Sequence, residues 1–83
     1  MTRITKKHLG AWQEYAVRKA LQNGGQIGLA GLSFDKAYAG KYAASLYSLD
    51  GAVVKIDGCD YQVEAGRGFG ARGGQGIRVT KTL

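Results

Sequence analysis

The stretch Gly51–Ala65, GAVVKIDGCDYQVEA, decides the fold, because the spacing of apolar residues changes there from about four to two. Ala52, Val54 and Ile56 alternate with Val53 and Lys55, then Tyr61, Val63 and Ala65 alternate with Gln62 and Glu64. Strict alternation is the pattern of a strand with one buried face, and Asp57-Gly58 between the two runs is turn chemistry. Two antiparallel strands are predicted, about 52–56 and 60–65. Downstream, GIRVTKTL (76–83) alternates again, with Ile77 and Val79 inward and Arg78 and Thr80 outward, giving a third strand over about 76–82.

Upstream the period is helical. In TKKHLGAWQEYAVRKALQNGG (5–25), Leu9, Trp12, Ala16, Ala20 and Leu21 recur at helical spacing. Thr5 is a suitable N-cap, and the Asn23-Gly24-Gly25 run is a helix stop. A first helix is predicted over about 5–23, with Gly10 weakening it. QIGLAGLS (26–33) reads either as a brief strand with Ile27 and Leu29 on one face or as an extended connection. Phe34, Tyr38, Tyr42, Leu46 and Leu49 form the next stripe, capped by Ser33 and stopped at Asp50-Gly51, which predicts a second helix over about 33–49. Tyr38, Tyr42 and Trp12 are assigned to the core. Together these give an α+β fold: two helices packed on a three-stranded antiparallel meander, in one domain covering 1–83.

Composition narrows the function classes. The chain has 83 residues, near the size at which one core barely suffices, and 45% of them are hydrophobic. With the single Cys59 there is no internal disulfide, which points to a cytoplasmic setting. No apolar run is long enough to span a bilayer, so no membrane partner is expected. The net charge of +6 is uneven: residues 1–13 carry +3, residues 14–64 carry −1, and residues 65–83 carry +4. Basic blocks of this kind suit nucleic acid or an acidic protein surface.

The connection to the third strand, RGFGARGGQG (67–76), is rich in glycine and arginine. RGFG at 67–70 matches only the first half of the RNP1 pattern of RNA-recognition motifs, and Ala71-Arg72-Gly73-Gly74 lacks the aromatics of the second half. Gly68-Phe69-Gly70-Ala71-Arg72-Gly73 fits G-x-G-x-x-G, but a strand follows it where a phosphate-binding helix N-terminus is required. A winged-helix division at Gly40 leaves a recognition helix without Arg, Asn or Gln. All three are set aside. What the segment offers is arginine for phosphates and Phe69 for stacking on a base.

Catalysis has little support. His8 is the only histidine, and Cys59 lies beside Asp60, which opposes thiolate formation. One cysteine and one histidine do not make a zinc site, and no cofactor is expected. The chain is therefore expected to be a small non-enzymatic basic binding protein. Its contact residues would be Arg67, Phe69, Arg72, Arg78 and Lys81, joined by Lys6 and Lys7, with Tyr47 as a surface anchor. Its partner would be nucleic acid, bound without sequence specificity, or a larger nucleoprotein complex. The alternative is a protein-binding inhibitor or accessory module, such as a phage-type anti-defence (anti-CRISPR-like) protein. That reading rests on small size and lack of motifs.

Overall fold

The computed structural model describes residues 9–70 and 73–82. Thr5, Lys6, Lys7 and Arg72, each given a role above, lie outside the described residues. Helix α1 is Ala11–Gln22, so its start differs from the expected residue 5. Gly10 is not an interior residue but the N-cap, extended at φ −61° and ψ 154°. The Gln13 side chain reaches back to accept the Gly10 N–H at 3.0 Å, satisfying one donor that the helix leaves free. At the other end the Gly25 N–H donates to Ala20 O at 2.7 Å. Gly24 and Gly25 both take positive φ there, +86° and +103°, as the stop signal required.

The second helix also starts later than expected. Ser33 does not cap it. Asp35 instead caps a 3-10 turn, Lys36–Tyr38, by accepting the Ala37 N–H at 3.0 Å, and that turn leads into α2, Ala39–Tyr47, whose own N-cap Tyr38 makes no side-chain cap bond. The cost of the late start falls on Tyr38, which is 57% exposed rather than in the core. Phe34, ahead of the helix, packs edge-on against Trp12 with ring centroids 6.2 Å apart. No helix among the described residues is long and apolar enough to cross a membrane.

Among the described residues the sheet has four strands, not three, and is antiparallel throughout: β1 (Gln26–Gly28), β2 (Ala52–Ile56), β3 (Cys59–Arg67) and β4 (Gln75–Lys81), in the order β1-β4-β3-β2. The extra strand comes from the ambiguous QIG. Its backbone pairs Gln26 with Arg78 and Ile27 with Ile77, and the Val79 N–H donates to Gly25 O at 2.7 Å. Ile27, Ile77 and Ala65 therefore share one face, as do Val63, Val79 and Ala52. That face packs on both helices, where Val17, Leu46, Val54, Val63 and Ile77 are fully buried. The result is one helix layer on one sheet, with the other sheet face open.

The β2–β3 connection is a two-residue turn in which Asp57 and Gly58 have φ of 51° and 82°, the left-handed pair that a tight hairpin needs. The β3–β4 ladder runs beyond the expected strand ends, pairing Gly66 with Gly76 and Arg67 with Gln75, before the connection begins. Inside it Gly68 N–H donates to Gly74 O at 3.0 Å and Gly70 N–H to the same oxygen at 2.9 Å.

Candidate nucleic-acid interface

Of the sequence-derived contact residues that are described, the structure brings Phe69 and Arg78 together and sets Lys81 and Tyr47 apart from Arg67. On the open sheet face, Gln26, Arg78 and Glu64 lie side by side across β1, β4 and β3. Arg78 is committed there: its Nη2 and Nε donate to Glu64 Oε1 at 2.6 and 3.0 Å. Its guanidinium carbon stands 5.4 Å from the centre of the Phe69 ring, a cation–π distance. The next row on this face, Gly28, Gly76 and Gly66, has no side chains. The segment carrying Phe69 folds back over it, with Gly70 N about 3.0 Å from where a Gly76 Cβ would stand and Phe69 3.9 Å from that of Gly66. The Gln26 side chain then holds Phe69 by donating to its carbonyl at 2.7 Å. Arg78 is thus engaged with both Phe69 and Glu64.

Lys81 sits at the other end of β4, opposite Tyr61, while Gln75 faces Arg67. The two positions are six residue steps apart along the strand, roughly 20 Å. Arg67 and Lys81 therefore do not share a binding patch. Tyr47 is 39% exposed at the end of α2, in the helix layer, remote from the open sheet face.

What the hairpin end does gather is a groove of about 680 Å³, floored by Leu29, Leu32, Phe34 and Ala39, with Gln75 on the hairpin side and Lys36 the one charged residue among the described residues that line it. Helix α1 fixes the segment that forms it. Trp12 Nε1 donates to Ser33 O at 2.8 Å, and the Ser33 N–H donates to the Tyr15 hydroxyl at 2.9 Å. Hydrogen bonds from Ser33, the side chain first and then the backbone, hold the Tyr15 hydroxyl below its ordinary pKa. Tyr42 completes the support, its ring centre 4.7 Å from that of Trp12 and 5.4 Å from that of Phe34. Asp35 is adjacent in sequence, but its carboxylate is occupied by the Ala37 N–H and does not line the groove. Arg67 stands one strand beyond Gln75.

The opposite end of the sheet has a different electrostatic character. Arg18 donates to Glu14 Oε2 at 2.9 Å and to both oxygens of Asp57, at 2.9 and 3.1 Å. These bonds, Asp57 first and then Glu14, raise Arg18 above its ordinary pKa, and the same contact holds the Asp57 carboxyl below the ordinary carboxylate value. The groove residues Phe34, Lys36 and Gln75 were not singled out from the sequence. The available signal was a lysine set in an apolar run, GLAGLSFDKAYA (28–39), which by itself reads as a helix start.

Compared with protein-family models, with curated proteins and with solved structures, the chain matches none.

Proposed function

We propose that the chain is a small non-enzymatic binding protein that contacts single-stranded nucleic acid, alone or in a nucleoprotein complex, through the β3–β4 hairpin end. One observation carries this. Among the described residues the lysines and Arg67 are in no ion pair, but only Lys36 of them lines an apolar groove, with Arg67 beside its lining residue Gln75. Unpaired cations beside an apolar groove suit a polymer of phosphates and flat bases, and each phosphate neutralised releases counterions. Arg72 lies in the same connection by sequence and is included in the proposed contact set with Lys6 and Lys7. Arg78, Phe69 and Lys81 are not given leading roles, since the first two are engaged with each other and the third lies at the far end.

The test is fluorescence anisotropy with labelled single- and double-stranded DNA and RNA at about 50 and 200 mM salt, on wild type and on Arg67→Ala/Arg72→Ala. Micromolar or tighter binding that falls steeply with salt and is lost in the double variant is expected. Undiminished binding by the variant would move the contact to Lys6 and Lys7. Absence of binding at the lower salt would overturn the proposal.

A second reading, as a protein-binding inhibitor or accessory module of the phage anti-defence kind, is favoured by a different surface. Tyr38 and Tyr47 are both exposed on the α2 side, and Lys41 is exposed on the helix between them. Exposed tyrosines are typical anchors of protein interfaces. That reading expects Tyr47→Ala to weaken a protein complex while leaving oligonucleotide affinity unchanged.

A further inference from the structure

We infer that the groove at the hairpin end takes a single unstacked nucleobase, with the adjoining phosphate on Lys36; this rests on the nucleic-acid reading above and gives it a subsite. The space, about 680 Å³, falls in the range of small-ligand sites. Its floor is made of aliphatic and aromatic surface from Leu29, Leu32, Phe34 and Ala39, and an apolar floor accepts the faces of any base. Among the described residues that line it, Lys36 is the charged one, and Arg67 stands one strand beyond Gln75. Asp35, the acid nearest in sequence, keeps its charge but turns one oxygen to the Ala37 N–H and is not in the lining. A flat apolar object with an anionic tail matches that arrangement, and a nucleotide is such an object.

The polar groups within reach are few and adaptable. The Gln75 amide both donates and accepts, and the backbone of Gly28 and Gly74 borders the groove. Such groups fit a base edge without selecting one base strongly, in keeping with binding that is not sequence-specific. A duplex hides the base faces in its own stack, so the subsite makes the protein prefer single strands. The walls are held independently of any ligand, because Trp12 and Tyr15 fix Ser33 from α1.

The experiment uses three labelled probes: a thymidine octamer, a phosphate chain of the same length with abasic sites throughout, and the octamer as a duplex. Wild type is expected to bind the octamer about tenfold more tightly than the abasic chain, one stacked base supplying the difference. Ala30→Leu narrows the groove from an exposed position that lines it with a branched aliphatic side chain, which offers no flat stacking face, and is expected to reduce that difference. Methyl resonances of Leu29 and Leu32 should shift with the octamer and not with the abasic chain. Equal wild-type affinities for the two chains, with steep salt dependence retained, would overturn the base subsite and leave the charge-based function standing. No binding of any probe at about 50 mM salt would overturn both. If the Leu29 and Leu32 methyls shift instead with an acidic leucine-bearing peptide and not with the octamer, the groove belongs to a protein partner and the inference fails. The wild-type comparison needs no substitution, so it decides even if a variant does not fold.

Discussion

The two ends of β3 hold their arginines in different ways. At the turn end Arg18 bonds both Asp57 and Glu14, although Lys55 and Lys81 there are in no ion pair among the described residues. At the hairpin end, Arg67 and Lys36 are in no ion pair among the described residues. Nine residues of strand put the ends roughly 27 Å apart. The contrast teaches that net charge by itself does not locate an interface. Arg78 and Arg67 belong to the same basic block of sequence, yet one is neutralised by its strand neighbour Glu64 and the other is not.

The strongest way to break this contrast is to dismantle the hairpin end while sparing the turn end. A Cβ at position 76 would stand 2.5 Å from Ile27 O and 2.9 Å from Gly28 Cα, both of them backbone. Gly76→Ala should therefore cost about 1–3 kcal/mol in urea unfolding and expose the β1 amides to hydrogen exchange. Unchanged stability would mean that β1 is not pinned there.

The next effect is on binding. Lys36→Ala combined with Arg67→Ala should weaken oligonucleotide affinity about tenfold at 50 mM salt and lower the salt slope by about 1.4–1.8, whereas Arg78→Ala should change affinity less than about twofold. Equal losses for both variants would erase the distinction between paired and unpaired cations. The same distinction can be sharpened in reverse. Glu64→Gln releases Arg78 from its carboxylate, and the salt slope should steepen by up to about 0.7–0.9 as a new phosphate contact becomes available.

The smallest effect belongs to the turn end. Arg18 holds the Asp57 carboxyl below its ordinary value of 3.8, so the contribution of the pair is complete above that value and is lost as pH falls through the lower, folded one. Asp57→Asn should make thermal stability fall less between pH 5 and pH 2, read as a narrower change in Tm. The exposure of both partners keeps the change modest.

Where the sequence was readable, the reason was period. Val54, Ile56, Val63, Ile77 and Val79 alternate cleanly because one sheet face is buried and the other is open. β1 was ambiguous because three residues are too few to establish a period, and its pairing partner is remote. The start of α2 was misjudged for a related reason. Phe34 and Tyr38 continue the four-residue spacing of the helix, but the Asp35 cap starts a 3-10 turn between them. As for the candidate site, the arginines were visible but their partners were not. Glu64 and Arg78 are fourteen positions apart and meet only through the β3–β4 register. Lys36 and Gln75 come together at the groove through the pairing of β1 with β4, which local pattern does not encode.

That pairing also sets an order of events. Ile27 meets Ile77 about fifty residues later, so the first strand to be passed along the chain has its only sheet partner in the last. The β2–β3 hairpin closes over a two-residue turn and has little entropy to lose, while β1 must wait for a far longer loop to close. The wall of the groove, Leu29 to Leu32, follows directly from that late strand. A molecule caught before the last step would carry most of its sheet without β1 and the groove wall that follows it, so the proposed ligand would report the final closure of the chain upon itself.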